Sequence, residues 1–525
     1  MDEKGKIAKA AGVMSAATFI SRVLGFIRDM IFALYFGASG LSDTFFAAFK
    51  IPNLLRELFA EGSMSAAFIP VLTEYRQREG EAEARRLVRI TFSFIIVVVG
   101  LICLVGIFFS PAIVTVIAPG FLKSPEKFSM TVLLTRIMFP FLLFISLAAL
   151  VMGALNTKKV FFVPALAPAM LNITLILSIV FFEAGAERPI LTAAIGVVVG
   201  GFVQFVFQLP TFFKNGYGLG LDANFSHPGL RKMSLLLIPA TMALAVSQIN
   251  IVVSNILASY LPAGSITYLF YSMRLTQFPI GIFGVAMGMA VLPSLSEHAS
   301  RGDFGRLRED FSFALRLLFF ITVPSMVGLI ALGKPIVNLL FQHGRFDYAA
   351  TQGTVQALYY YSLGIWSIVG VRVITTTFYA MQDTKTPVKI ACGAMLLNIA
   401  LSLYLMRPLQ HAGLALANAL ASWVSFFLLM YFLRKKLERI DSRRIIMSFG
   451  KIGLASLVMG LAGWALLHGE LWEQSGNTLI KTVYFGGTAL LCILVYSGVS
   501  HMLKSEELHY LYHTVRGRFT RRSDR

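Results

Sequence analysis

The run from Ala11 to Phe36 is long and apolar enough to cross a bilayer, yet it contains Arg22, Arg28 and Asp29. A charge at that depth costs roughly 2.5–3.5 kcal/mol on insertion scales, so such a side chain faces water or a partner rather than lipid. The next apolar segment repeats the pattern with Asp43, Lys50, Arg56, Glu57 and Glu61. Cations placed at this cost point to a hydrated cavity that receives an anionic group. The rest of the chain fits this setting: of 525 residues, 56% are hydrophobic and only 14% charged, against about 25% charged in soluble domains.

Counting about 20 apolar residues per crossing gives about fourteen spans. They lie near 11–36, 43–73, 88–116, 131–154, 161–182, 189–213, 233–260, 265–296, 310–332, 353–380, 388–406, 411–433, 446–468 and 479–502. The formal charge of +19 is not gathered into a nucleic-acid-binding domain but spread over alternate connections. One set of connections, with both termini, holds about 29 Lys and Arg, and the other about six. By the positive-inside rule both ends lie in the cytoplasm, which requires an even number of spans. Lys4, Lys6 and Lys9 imitate a signal-peptide start, but Arg22 and Arg28 interrupt the apolar run that follows. Cys103, Cys392 and Cys492 sit in apolar segments at unrelated spacings and read as packing residues. Arg89, Arg136 and Arg316 lie near span ends and read as snorkelling to the interface.

The chain also repeats itself. Pro70-Val-Leu-Thr-Glu74 recurs as Pro293-Ser-Leu-Ser-Glu297, and Thr157-Lys158 leading to Asn172 recurs as Thr384-Lys385 leading to Asn398. The offset spans six crossings, so orientation is preserved and the repeats are parallel, a class in which the substrate site lies near mid-membrane between them. The expected fold is all-α: two parallel six-helix lobes (1–217 and 218–437) around a central cavity, two additional helices (438–502) and a basic cytoplasmic tail (503–525).

Arg22 and Asp29 are seven residues apart and share nearly one helical face, as do Asp43 and Lys50; Asn53 aligns with Arg56 and Glu57 at i+3 and i+4. Pro52 and Gly62 invite a break in the second span, which irregular backbone beside a cavity tolerates. Arg274 in Tyr271–Pro279, and Arg372 in the tenth span, supply cations in the second lobe. Guanidinium groups fork onto phosphate oxygens, so Arg22, Arg28, Arg56 and Arg274 are the candidates for binding a diphosphate. Asp29, Asp43, Lys50, Asn53, Glu57, Glu61 and Arg372 are candidates for support or gating. No phosphate-binding loop of the Gly-x-x-x-x-Gly-Lys type occurs, which argues against direct ATP use. His227, His298, His343 and His411 show no metal-ligand spacing.

The segments Ser21–Asp29, Asp43–Arg56, Phe59–Pro70 and Gln382–Lys389 resemble the signature of the MurJ/MviN family, bacterial lipid II flippases of the multidrug/oligosaccharidyl-lipid/polysaccharide exporter superfamily. The resemblance covers essentially the whole chain. It implies a transporter, not an enzyme, in the bacterial inner membrane, moving undecaprenyl-diphosphate disaccharide-pentapeptide to the outer leaflet by alternating access for peptidoglycan synthesis. It implies cavity roles for Arg22, Arg28, Arg56 and Arg274, matches Asp29, Asp43, Asn53 and Glu61 to the motif's acids and amide, and implies a groove for the lipid tail between the last two helices. The chain departs from the family where Met273 and Gln277 flank Arg274 in place of an acid. The seventh and eleventh spans offer only Asn250, Asn255 and Asn398 as cation ligands. No cofactor is expected; sodium, protons or the membrane potential are the open choices for coupling, and cell-wall synthesis or division proteins are conceivable partners. The alternatives are a flippase for another prenyl-diphosphate glycan, a drug or cation antiporter of the same superfamily, which an arginine-rich cavity disfavours, and an intramembrane enzyme acting on prenyl diphosphates.

Overall fold

The computed structural model describes residues 3–58, 63–183, 185, 187–281 and 285–512. Among these residues the fold is helical without strands, as the apolar runs require: in lipid a backbone must satisfy its own hydrogen bonds. Contacts divide the chain into two compact units, Met1–Ile266 and Thr267–Arg525.

The first unit opens with α1 (Glu3–Phe36), α2 (Gly40–Arg56) and α3 (Ser63–Arg78). The expected second span is thus two helices. Pro52 lies inside α2, and α2 gives way to a π turn at Glu57 and Leu58. α4 (Gly80–Phe108) and α5 (Ser110–Ile117) lead through a 3-10 turn at Pro119–Lys123 to α6 (Pro125–Met138) and α7 (Phe141–Thr157), separated at Pro140. α8 (Phe162–Phe182), α9 (Ile190–Lys214) and α10 (Pro228–Ser259) complete the unit. α8 packs on both α1 and α9, and α10 packs on α3 and the Pro119–Lys123 turn. Close approach in the first unit uses glycine: a Cβ on Gly120 would stand 2.2 Å from the Ser259 carbonyl oxygen.

The second unit comprises α11 (Ser265–Pro279), α12 (Val285–Ser300), α13 (Phe304–Ala331), α14 (Gly333–Phe341), α15 (Tyr348–Leu363), α16 (Ile365–Ala380), α17 (Lys385–Leu437), α18 (Ser442–Leu467) and α19 (Thr478–Met502). Ser265 and Ile266, which begin α11, belong to the first unit by contact. α17 joins two expected spans across a kink at Gln410, where φ is 50°, two residues after Pro408. The second unit holds a core cluster of apolar side chains drawn mainly from α13, α16, α17, α18 and α19, including Phe319, Val369, Phe426, Ile452 and Tyr496.

Nine helical stretches among the described residues are long and apolar enough to cross a membrane. The two matching prolines both lie inside helices, Pro70 in α3 and Pro293 in α12, and a π turn occurs before each helix, at 57–58 and at 280–281. All three cysteines are free. Cys103 and Cys492 are buried, as packing residues should be, whereas Cys392 is exposed.

Arg316 corrects the snorkelling assignment. It is buried in α13, and its Nη1 donates to Glu506 Oε2 and Glu507 Oε1, both at 2.8 Å. Glu507 also accepts from Ser448 of α18 at 2.8 Å and from Ser505 at 2.7 Å. Apolar periodicity could not reveal this, because the carboxylates come from a segment about 190 residues away in sequence. Arg136 and Arg89 are exposed, and Arg136 Nε donates to Ser110 Oγ at 2.9 Å.

Candidate arginine site in the membrane helices

Arg28 occupies the α1 face that packs on α8. Its Nε and Nη2 donate to Asp29 Oδ1 at 3.0 and 2.6 Å, and its Nη1 donates to Asn172 Oδ1 of α8 at 3.0 Å. Asn172 in turn donates to the Ser21 carbonyl at 3.1 Å, so the amide is oriented by α1 itself. The Arg28 side chain remains 18% exposed, while Asp29 is 4% exposed. The acid is therefore committed to setting the guanidinium, and the guanidinium keeps an accessible edge. A carboxylate, amide or phosphate oxygen suits that edge, because the planar fork accepts only acceptors.

A second group forms at the end of α2, where Pro52 removes a backbone donor and the helix loosens into a π turn. Arg56 Nε donates to Asn53 Oδ1 at 3.1 Å, Asn53 Nδ2 donates to Glu57 Oε1 at 3.1 Å, and Arg56 Nη2 lies 3.7 Å from Glu57 Oε1. Gln248 of α10 donates to Glu57 Oε2 at 2.6 Å. This is the i, i+3 and i+4 constellation expected from the sequence, with α10 added. Lys50 is half-buried one turn earlier on α2, within electrostatic reach of Glu57.

Asp43 stands apart in its task. It is buried in the first turn of α2, and its Oδ2 accepts from the backbone N–H of Gly264 at 2.6 Å. Gly264 has φ of +92°, a conformation that favours glycine, so this contact fastens α2 to the turn that follows α10. Arg22 is exposed on α1 and makes no ion pair among the described residues. In the second unit Arg274 is half-buried in α11 and Arg372 is exposed on α16. Glu61 lies outside the described residues.

The cation candidates diverge. Asn255 Nδ2 donates to the Ile117 carbonyl at 3.1 Å, fastening α10 to the end of α5, while Asn398 is buried and accepts from Ser402 at 3.5 Å. Asn250 is half-buried. Among the described residues no cluster of His, Cys, Asp or Glu has metal-ligand geometry. His227 pairs with Glu83 at 3.0 Å, His298 with Asp310 at 3.4 Å, and His411 with the Gly353 carbonyl at 2.9 Å. In the Gln382–Lys389 motif, Asp383 accepts from Thr386 N and Oγ1 and from Lys436 Nζ at 2.8 Å, tying the two ends of α17 together. The Lys436 ammonium, helped by Thr386, holds the Asp383 carboxyl down at about 2.

Sequence reasoning did not assign Asn172 or Gln248 to the site. Asn172 carried a usable signal, since an amide recurring at matching positions of both repeats inside apolar spans needs a partner. Gln248 had none, because its contact with Glu57 is 191 residues distant.

This helical plan is that of a membrane transporter. The chain superposes on an inward-facing multidrug resistance MATE family transporter of the MOP superfamily with a TM-score of 0.64, 13% identity, and coverage of 82% of this chain and 99% of that one. A much nearer likeness is a solved structure of a lipid II flippase MurJ in an inward closed conformation: TM-score 0.76, 30% identity, covering 93% and 98% of the two chains. The family model "Lipid II flippase MurJ" matches residues 32–484. Probable lipid II flippases MurJ from Buchnera aphidicola (Acyrthosiphon pisum) and Vibrio cholerae are 36% and 34% identical, covering 90% and 94% of this chain and 93% and 97% of theirs. A lipid II flippase MurJ from Burkholderia cenocepacia is 34% identical, over 94% and 96%. The chain belongs to the MurJ lipid II flippase family and is a multi-pass inner-membrane protein. The family is one of transporters rather than enzymes.

Proposed function

We propose that this chain carries lipid II, the undecaprenyl-diphosphate-linked disaccharide-pentapeptide, from the inner to the outer leaflet, and that arginines of its first two helices hold the diphosphate. The observation that carries the reading is Arg28: a guanidinium inside an apolar helix, set by Asp29 and Asn172, with an edge left accessible. Arg56, braced by Asn53 and Glu57, and the exposed Arg22 are its partners in the task, and Arg274 has the same role in the second unit. A diphosphate presents several oxygens in fork geometry, and each charge-assisted bond to it is about twice as strong as a neutral one.

The prenyl chain stays in lipid throughout. Drawing it through water would cost about 0.8 kcal/mol per CH₂, so only the headgroup enters the polar path. Alternating access follows, over fourteen crossings with both termini in the cytoplasm. The π turn after α2 and the Asp43–Gly264 contact are elements suited to change between states. An inside-negative membrane potential, worth about 2.3 kcal/mol per charge per 100 mV, drives the anion outward and returns the cationic empty site inward. The amide set Asn250, Asn255 and Asn398 gives a weaker basis for a coupled sodium ion than carboxylates would.

The test is Arg28→Ala in cells depleted of the native protein, with lipid II exposure at the outer leaflet as the readout. Loss of a charged hydrogen-bonding group predicts a drop of about 30-fold or more. Exposure at the wild-type level would remove the diphosphate role.

A further inference from the structure

The end of α17 and the start of α18 border a cavity of about 620 Å³ that the transport reading leaves unused. Six basic side chains line it, Arg316, Arg434, Arg439, Arg443, Arg444 and Lys451, against four acidic ones. Two of those acids are already committed: Glu507 to Arg316 and Ser448, and Glu506 to Arg316 and to Arg444 at 2.7 Å. Arg434, Arg439 and Arg443 make no ion pair among the described residues.

The floor of the cavity is built rather than incidental. Arg316 is 4% exposed, and its Nε is buried without a hydrogen-bond partner. That nitrogen lies beneath the surface, so Arg316 adds its charge to the field over the cavity rather than a direct bond to a ligand. The first turn of α18 adds to the same field. Its N-cap residue, Asp441, makes no side-chain capping bond, and while the Ser442 N–H donates to the Ile440 carbonyl, the N–H groups of Arg443 and Arg444 face the anion-favouring end of the helix.

An apolar row runs along the same face of α18 as Arg443 and Lys451. Met447 lines the cavity and is 55% exposed, and Leu454 and Leu461 continue its row at seven-residue spacing, 52% and 66% exposed. A free inorganic anion has no use for such a stripe, whereas a molecule with a phosphate head and acyl chains matches both the basic cluster and the row that leads away from it.

We propose that this cavity binds the phosphodiester headgroup of an anionic membrane phospholipid, with its acyl chains along the exposed row of α18. The bound head braces the junction where α13, α18 and the 506–512 helical segment meet. The site is separate from Arg28 and independent of which glycan lipid is transported.

The full-length protein in nanodiscs mixing phosphatidylglycerol and phosphatidylcholine, read by native mass spectrometry of retained lipids, tests this. Wild type is expected to retain phosphatidylglycerol preferentially. Arg439→Glu with Arg443→Glu lowers that retention about tenfold, and Arg439→Gln with Arg443→Gln lowers it about threefold while keeping the fold. Inorganic phosphate at millimolar concentration leaves the lipid in place, and Arg28→Ala retains it as wild type does. Equal retention of the two lipids, unchanged retention in the glutamine variant, displacement by inorganic phosphate, or loss in Arg28→Ala would each overturn the proposal.

Discussion

Arg28 and Arg316 are both arginines inside apolar helices, and they stand in opposite circumstances. Arg316 is 5% exposed and is held by two carboxylates from the far end of the chain. Arg28 is 18% exposed, and its carboxylate is the adjacent residue on its own helix. An ion pair between neighbours in sequence fastens no two elements together, and Arg28 is tied to a second helix only through the neutral amide of Asn172. An ion pair across about 190 residues fixes α13 against the terminal segment. The contrast gives a working rule for membrane arginines: distant acids mark a structural cation, and a local acid with residual exposure marks one kept for a ligand.

The sharpest way to break the contrast is at Glu507. Removing a partner from a buried pair costs about 3–5 kcal/mol, so Glu507→Ala is expected to lower thermal stability in detergent by about 3 kcal/mol, Glu506 still serving Arg316. Glu506, 56% exposed, should contribute below about 1 kcal/mol, and Glu506→Ala is the matched control. Equal losses would dissolve the distinction between the two acids.

Next in size is Asn172→Leu. It strips Arg28 of its α8 partner and should reduce lipid II exposure about tenfold with less change in melting temperature than Glu507→Ala produces. A large loss of stability with intact transport would instead make Arg28 another structural arginine. Gly120→Ala probes packing without charge. The new Cβ would meet the Ser259 carbonyl at 2.2 Å, for an expected cost of about 1–3 kcal/mol in melting experiments, whereas Gly100→Ala meets nothing within 4 Å and should be neutral.

The smallest effect concerns pH. The folded Asp383 carboxyl lies at about 2, below its ordinary 3.8, so its contribution to stability is present above about pH 4 and is lost as pH falls toward 2. The side chain is partly exposed, and the pair with Lys436 is worth below about 1 kcal/mol. Lys436→Ala should therefore flatten the acid limb of the stability profile while changing it little at neutral pH.

Most of the helical plan was legible in the sequence because lipid leaves a backbone few choices. Among the described residues the apolar runs became helix, and Pro52, Pro140 and Pro408 mark or adjoin the places where helices break or kink. Pro70 and Pro293, matched in the sequence, both sit inside helices, α3 and α12. The Asn53–Arg56–Glu57 group was legible because it is local. The partners supplied across the fold were not: Asn172 for Arg28, Gln248 for Glu57, and Glu507 for Arg316 are separated by 144, 191 and 191 residues. Periodicity reports which face is apolar, and it carries no information on which polar groups will meet.

Arginines of α1 and α2 are proposed to grip the diphosphate. The most direct test is equilibrium binding of lipid II to the purified protein, comparing wild type with Arg28→Ala plus Arg56→Ala and with the exposed control Arg89→Ala. Binding should be about 100-fold weaker in the double variant and within about twofold of wild type in the control. Wild-type affinity in a folded double variant would contradict it.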